Sequence, residues 1–247
     1  MVRPARVLAI SGSLRAGSYN SALLRAAVEL APDSMMIDIY DGLGSLPFVN
    51  EDLGLAEAPQ PVMDLRARVA EADALLIATP EYNYSVPGIL KNAIDWLSLP
   101  PSTSCLRRKA VATVGASVGN FGTVRAQLAL RPVWVATQAR AVGKPEVHVA
   151  RARQRLDELG RLVDQQSPDL LAELLVELQM LAARRRERLI VLEVDGRSVP
   201  RSRRKPRPRR RRAAVTAVAE ESSVRRVRRA QRNRSMISSP SSAPSWV

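Results

Sequence analysis

Along the first 183 residues, apolar positions come in two alternating textures. Short, nearly continuous apolar runs at 6–10, 35–40, 74–79 and 109–116 have the length of buried strands. Between them lie stretches of helical period. The segment 21–30 puts Ala22, Leu23, Ala26, Ala27 and Leu30 on one face, and 88–97 does the same with Ile89, Leu90, Ala93, Ile94 and Leu97. Segment 62–72 also reads as a helix, 124–130 opens another, and 170–184 forms a long closing one. A weaker run at 146–150 is the candidate fifth strand. Residues 41–58, rich in Gly, Pro, Asn and Asp, read as a loop, and Pro80 bounds the third strand.

Strands separated by helices predict right-handed crossovers and a parallel sheet covered on both faces. Five such strands match a flavodoxin-like three-layer α/β sandwich of strand order 2-1-3-4-5. Ligands of that architecture bind beyond the carboxyl ends of the strands. The loops predicted there are 11–20, 80–88 and 117–123, which are also the richest in Gly, Ser, Asn and Pro.

Composition narrows the chemistry. Aromatic residues are 4% of the chain, so Leu, Val, Ile and Ala must fill the core. The single cysteine, Cys105, excludes internal disulfides and clusters built on several thiolates, and the single histidine, His148, excludes multi-histidine metal sites. No secretory core or membrane-length apolar run of about 18 residues is found, so a cytoplasmic protein without a membrane partner is expected. The net charge of +14 is unevenly placed. Residues 1–183 carry 18 Lys+Arg against 19 Asp+Glu, whereas 184–247 carry 20 against 5. The reading therefore divides the chain into a domain at 1–183 and an Arg/Pro/Ser-rich tail at 184–247, expected to be disordered from about 196. Within that tail only 189–194 is strand-like.

The first strand leads into SGSLRAGSYNSALLRAA. A strand-to-helix junction of an open α/β sheet has unpaired helix amides and a dipole that favours an anion. Ser11, Ser13, Ser18 and Ser21 add hydroxyls, Asn20 an amide and Arg15 a cation. Gly12 and Gly17 stand five apart, but Ser18 occupies the place of a triphosphate-loop lysine, and the dinucleotide G-x-G-x-x-G spacing is absent. Two readings remain open from this loop alone: a wrapped monophosphate, or a polar turn with an N-cap.

The next loop belongs to ATPEYNYSVPGILKNAIDWLS, residues 78–98. Taken with Gly12-Ser13-Leu14-Arg15, Ser18, Asn20 and Ser21, and with Gly115-Ala116-Ser117, Gly119 and Gly122, it closely resembles the NADPH-dependent FMN reductase family, which includes quinone, chromate and azobenzene reductases. Arg125-Ala126-Gln127 and Gly160-Arg161-Leu162-Val163-Asp164 fit the same pattern, and the similarity covers roughly residues 5–183. The resemblance implies that Ser11, Ser13, Arg15, Ser18, Asn20 and Ser21 hold the FMN phosphate. It implies that Pro80, Glu81, Tyr82 and Asn83 run along the isoalloxazine, with Ser117 and Gly119 on its other side. Tyr82 or Tyr84 would stack on or gate the ring. Tyr84 departs from the glycine common in relatives, which touches on acceptor range. Asn92, Asp95 and Trp96 are read as serving the helix and a subunit contact, with Trp96 either an interface anchor or core.

The implied activity is an NAD(P)H oxidoreductase. Bound FMN takes a hydride from NADPH or NADH and passes electrons, in ping-pong order, to a small-molecule acceptor: a quinone, chromate, an azo compound or free flavin. No catalytic side chain and no metal are assigned, and a homodimer or homotetramer is implied. Two competing readings are a flavodoxin-type electron carrier, disfavoured by the nearly neutral body, and a nucleic-acid-binding protein acting through the tail. No aromatics interleave with the tail arginines, so base stacking is not encoded and contact with nucleic acid would be nonspecific. The preferred readings of the tail are an extension without a partner or a frame or gene-boundary artefact.

Overall fold

The structure, a computed structural model, describes residues 3–53, 58–157 and 159–194. Strand β1 (Ala5–Ser11) is followed by α1 (Tyr19–Glu29), β2 (Met35–Tyr40), α2 (Gln60–Glu71), β3 (Ala74–Ala78), α3 (Gly88–Ser98) and β4 (Ala110–Ala116). Then come α4 (Val124–Ala136), β5 (Arg140–Ala141), β6 (Val147–Val149), α5 (Ala152–Arg155) and α6 (Gln166–Val194). All pairings between these strands are parallel, and the order across the sheet is β2-β1-β3-β4-β5, with β6 also on β4. This is the predicted flavodoxin-like sheet.

The alternation along each central strand sorts the core into two layers. Val7, Ala9, Leu76, Ala112 and Val114 face α1 and α6. Leu8, Ile10, Leu75, Ile77 and Val111 face α2, α3 and α4. Among the described residues no helix is long and apolar enough to cross a membrane.

Two details differ from the sequence reading, and a third decides a choice it left open. The fifth strand position is shared by β5 and β6, so the predicted run at 146–150 supplies only its outer half. Helix α6 continues past 184 to Val194, so the strand-like segment 189–194 is helical. A short apolar run has no period of its own, and a helix already nucleated extends through it. The rest of the expected tail, 195–247, lies outside the described residues. Of the two readings of Trp96, the structure takes the core one, and Asn92 is buried beside it. Trp96 is 2% exposed and its Nε1 donates to Pro47 O at 2.8 Å, while the Asn92 amide donates to the same oxygen and accepts from Val49 N. Both side chains pin the 47–49 segment against α3, because a buried indole N–H and amide need partners.

Two buried cations close helix ends. The Arg66 guanidinium donates to the carbonyls of Trp96 and Leu99 at the end of α3 and of Thr103 in the turn beyond it. Lys109 Nζ donates to Val69 O and Ala72 O at the end of α2. Cations suit those carbonyls and the negative end of the helix dipole.

Candidate functional site

The parallel register brings three loops to one level. Ser11 pairs with Ala78, Gly12 N donates to Ala78 O at 2.8 Å, and Thr79 N donates to Val114 O at 3.0 Å. The loops leaving β1, β3 and β4 therefore open at the same edge of the sheet. Gly12 sits where a Cβ would meet Leu90 Cδ2 at 3.0 Å and Pro80 Cδ at 3.2 Å, so the first two loops approach closely. Between the three loops lies a cleft of about 320 Å³. Its walls are Ser13, Arg15, Ser18 and Tyr19 on one side, Pro80, Glu81 and Tyr82 on the second, and Ser117, Val118 and Arg153 on the third.

The first wall gathers hydrogen-bond donors at a helix N-terminus. Ser18 is the N-cap of α1, its Oγ accepting from Asn20 N at 3.2 Å and Ser21 N at 3.3 Å. The backbone N–H groups of Leu14, Ala16, Gly17 and Tyr19 meet no acceptor among the described residues. Such donors at the positive end of a helix are an anion cradle. Arg15 stands over the Tyr19 ring, 5.3 Å from its centroid. Ser21 Oγ and Ser11 Oγ are 3.0 Å apart and bind each other. Asn20, 3% exposed, spans to the end of β4: its amide donates to Ala116 O and accepts from Ala116 N, both at 3.0 Å. Asn20→Ala is expected to orphan both buried backbone groups and cost about 2–3 kcal/mol, read by chemical denaturation. Wild-type-like unfolding would show that the clamp carries no weight.

The second and third walls are tied together. Tyr82 and Ser85 exchange backbone hydrogen bonds around Asn83 (φ 49°) and Tyr84 (φ 65°). Two positive φ values make a type I′ hairpin turn, which prefers glycine at its second position and explains why glycine suits position 84. Tyr84 instead lays its ring against the Arg125 guanidinium at 4.2 Å, with Phe121 at 4.4 Å. Thr123, the N-cap of α4, makes no side-chain cap, and Glu81 supplies one from the neighbouring loop. Its carboxylate accepts from Arg125 N (2.9 Å), Ala126 N (3.3 Å) and the Arg125 guanidinium (3.1 Å). A carboxylate at a helix N-terminus is stabilising, so Glu81 locks the 80–85 loop onto α4. Behind the third wall, Ser117 N donates to Val149 O, Ala152 N to Ser117 O and Arg151 N to Gly119 O.

The chain matches the family described as NADPH-dependent FMN reductase over residues 5–154. It belongs to that family. It is 46% identical over 181 residues to an NAD(P)H-dependent FMN reductase of Pseudomonas aeruginosa, covering 73% of this chain and 97% of the relative. A quinone reductase of Escherichia coli K12 is 37% identical over 166 residues, covering 66% and 88%. Among solved structures, the flavoenzyme NAD(P)H:(acceptor) oxidoreductase FerB of Paracoccus denitrificans superposes with a TM-score of 0.67 at 30% identity, covering 73% of this chain and 98% of that one.

In this FMN reductase family member, eight of the residues singled out in the sequence line the cleft: Ser13, Arg15, Ser18, Asn20, Pro80, Glu81, Tyr82 and Ser117. Ser11 and Ser21 sit behind the wall, bound to each other, and Gly119 is tied to Arg151. Asn83 occupies the turn tip beyond the cleft. Arg153 escaped the sequence reading. The one signal for it was position, four residues beyond the carboxyl end of a strand. His148 is half-buried with Nδ1 unpartnered and Nε2 3.9 Å from Glu146, and burial lowers its pKa. Cys105 Sγ lies 3.8 Å from Arg66 O. Neither lines the cleft. A cleft of about 360 Å³ between β2 and α2 has its charges already paired, Arg6 with Glu71 and Arg68 with Asp38 and Asp64.

Proposed function

We propose that this protein is an FMN-dependent NAD(P)H oxidoreductase whose acceptors are quinones, with chromate, azo compounds and free flavin as further candidates. The observation that carries it is the asymmetry of the cleft. One end presents unpaired backbone amides, a helix N-terminus and Arg15; the other is a slot of Pro80, Tyr82 and Val118 with backbone exposed. A phosphate fits the first end and a flat apolar ring the second, so the residues present suit FMN. FMN, when bound, supplies the hydride and electron chemistry, in ping-pong order between NADPH or NADH and the acceptor. The chain's part is to bind and orient. Residues 13–19 anchor the phosphate. The Glu81 lock on α4 holds the 80–85 and 117–122 loops at one spacing, so the ring slot is set before anything enters. Ser11 and Ser21 brace the phosphate loop from behind, and Asn20, at the cleft wall, ties it to the end of β4.

The exposed Tyr84, Phe121, Leu128 and Val135 support a homodimer or homotetramer formed beside the cleft. We place the enzyme in the cytoplasm, with residues 1–183 as the reductase domain and 184–247 as an appended basic segment.

The purified full-length protein is expected to be yellow, or to turn so with FMN, and to oxidise NADPH when a quinone is added. Arg15→Ala with Ser18→Ala should weaken FMN binding by roughly 100-fold or more, from one charged and several neutral hydrogen bonds lost. A parallel thermal melt separates this from the missing N-cap, worth about 1 kcal/mol. A colourless protein that stays colourless with FMN overturns the proposal. A yellow one that does not turn over NADPH makes it a carrier.

A further inference from the structure

The inference rests on the flavin reading above and concerns how the anionic end of that ligand is neutralised. A phosphate monoester carries a charge of about −1.5 to −2 near neutral pH. The loop from 12 to 18 holds one cation, Arg15, and no lysine. The helix N-terminus adds roughly half a charge. A further cation brings that count closer to balance, and the fold brings one to the same cleft from 135 or more residues away in sequence.

Arg153 is placed by two tethers. Asn20, in the first turn of α1, holds both backbone groups of Ala116. The next residue, Ser117, accepts from Ala152 N at 2.9 Å, and Ala152 is fully buried in the core layer of α1 and α6. The first turns of α1 and α5 are thus held to consecutive residues at the end of β4. Arg153 follows directly and lines the same cleft as Arg15, Ser18 and Tyr19.

Its neighbours are occupied elsewhere. Arg151 Nε donates to Asn120 Oδ1, and Arg155 pairs with Asp164 and Ser167. Arg153 has no hydrogen bond or ion pair among the described residues. An arginine that lines an anion cleft and is committed to nothing else is available to its ligand, and its planar fork suits phosphate oxygens.

We propose that Arg153 is a second phosphate-binding cation, opposite Arg15, and that it sets the preference for FMN over riboflavin. The two flavins share ring and ribityl chain and differ only in the phosphate. The pair therefore reports on the phosphate alone.

The test uses the full-length protein stripped of flavin and titrated with FMN or riboflavin by flavin fluorescence. Arg153→Gln is expected to weaken FMN binding roughly 10- to 100-fold, the worth of charge-assisted hydrogen bonds, and to leave riboflavin affinity unchanged. Arg153→Lys should recover part of the loss. In the wild type, FMN affinity should rise from about pH 5 to about pH 7.5 as the phosphate takes its second charge near pH 6. That rise should flatten in Arg153→Gln. Unchanged FMN affinity, or an equal fall for both flavins, overturns the proposal, the second because the arginine would then act on the ring or on the fold. Wild-type protein that binds neither flavin overturns instead the flavin reading on which it rests.

Discussion

Replacing Gly115 by alanine is expected to destabilise the protein by about 3 kcal/mol, lower its Tm by roughly 6–12 °C, and cut quinone turnover on the order of 100-fold. Gly115 lies on β4 opposite His148. A Cβ there would stand inside contact distance of Thr123 Oγ1 and 2.7 Å from Thr79 O. Neither neighbour can yield cheaply. Thr79 is fully buried and its N–H is held by Val114 O. Thr123 has a left-handed backbone (φ 67°), and its Oγ1 accepts from Gln127 Nε2 at 3.2 Å. These two residues begin the 80–85 loop and end the 117–122 loop, so the extra methyl pushes apart the walls of the ring slot. Adding Thr123→Gly should restore part of the Tm, because glycine accepts that φ and removes one of the two clashes. A Gly115→Ala protein that melts and turns over like the wild type would show that the close approach is not a constraint.

The second large effect is at Lys109. Its side chain is completely buried and donates to Val69 O at 2.6 Å, Ala72 O at 2.5 Å and Ala70 O at 3.5 Å. Lys109→Met fills similar space but leaves those carbonyls without a donor, an expected loss of about 3–5 kcal/mol. The variant should also alter how stability depends on pH. Burial, with repulsion from Arg185, lowers the ammonium from 10.5 to about 8, against the opposing pull of Cys105 and Asp73. Between about pH 8 and 10.5 the unfolded chain keeps the proton that the folded chain has released. The unfolded state then binds more protons, so wild-type stability rises with pH through this window, by roughly 3 kcal/mol in full. The Met variant lacks that rise. Denaturant unfolding of both proteins at about pH 7.5, 9 and 10.5 reads the difference, and Tyr40, whose pKa is raised mainly by burial, cancels between them. A difference that stays flat or falls as pH rises would mean the carbonyls hold the charged form at least as well as water does.

Much of this architecture could be read directly. Strands β3 and β4 are buried on both faces, so their residues are apolar with Thr113 the one interruption and stand out against the chain. Helix α3 carried its inward face at helical spacing. The pair Arg140–Ala141 was not legible. Both residues are exposed, and what makes them a strand is the pairing with Lys109 and Val111 across the sheet. Trp96 illustrates the same limit from the other side: its type suited an interface or a core equally, and only the carbonyl of Pro47 at 2.8 Å decided between them.

For the site, the crowding of serines, Asn20 and Arg15 at one helix mouth was visible in the order of residues, because neighbours in sequence make that loop. Their division of labour was not. Ser18 caps the helix, Ser11 and Ser21 satisfy each other, and Asn20 reaches 96 residues away to Ala116. The sequence by itself determined the sheet, the three loops at its carboxyl edge and the anion-seeking chemistry of the first, since each follows from local period and composition. Only the tertiary structure decided which donors face the cleft, that Glu81 locks one loop to the next helix, and that Arg153 lines the same cleft as Arg15. Those are long-range contacts, and no spacing along the chain encodes the distance between residues that meet only when the sheet has formed.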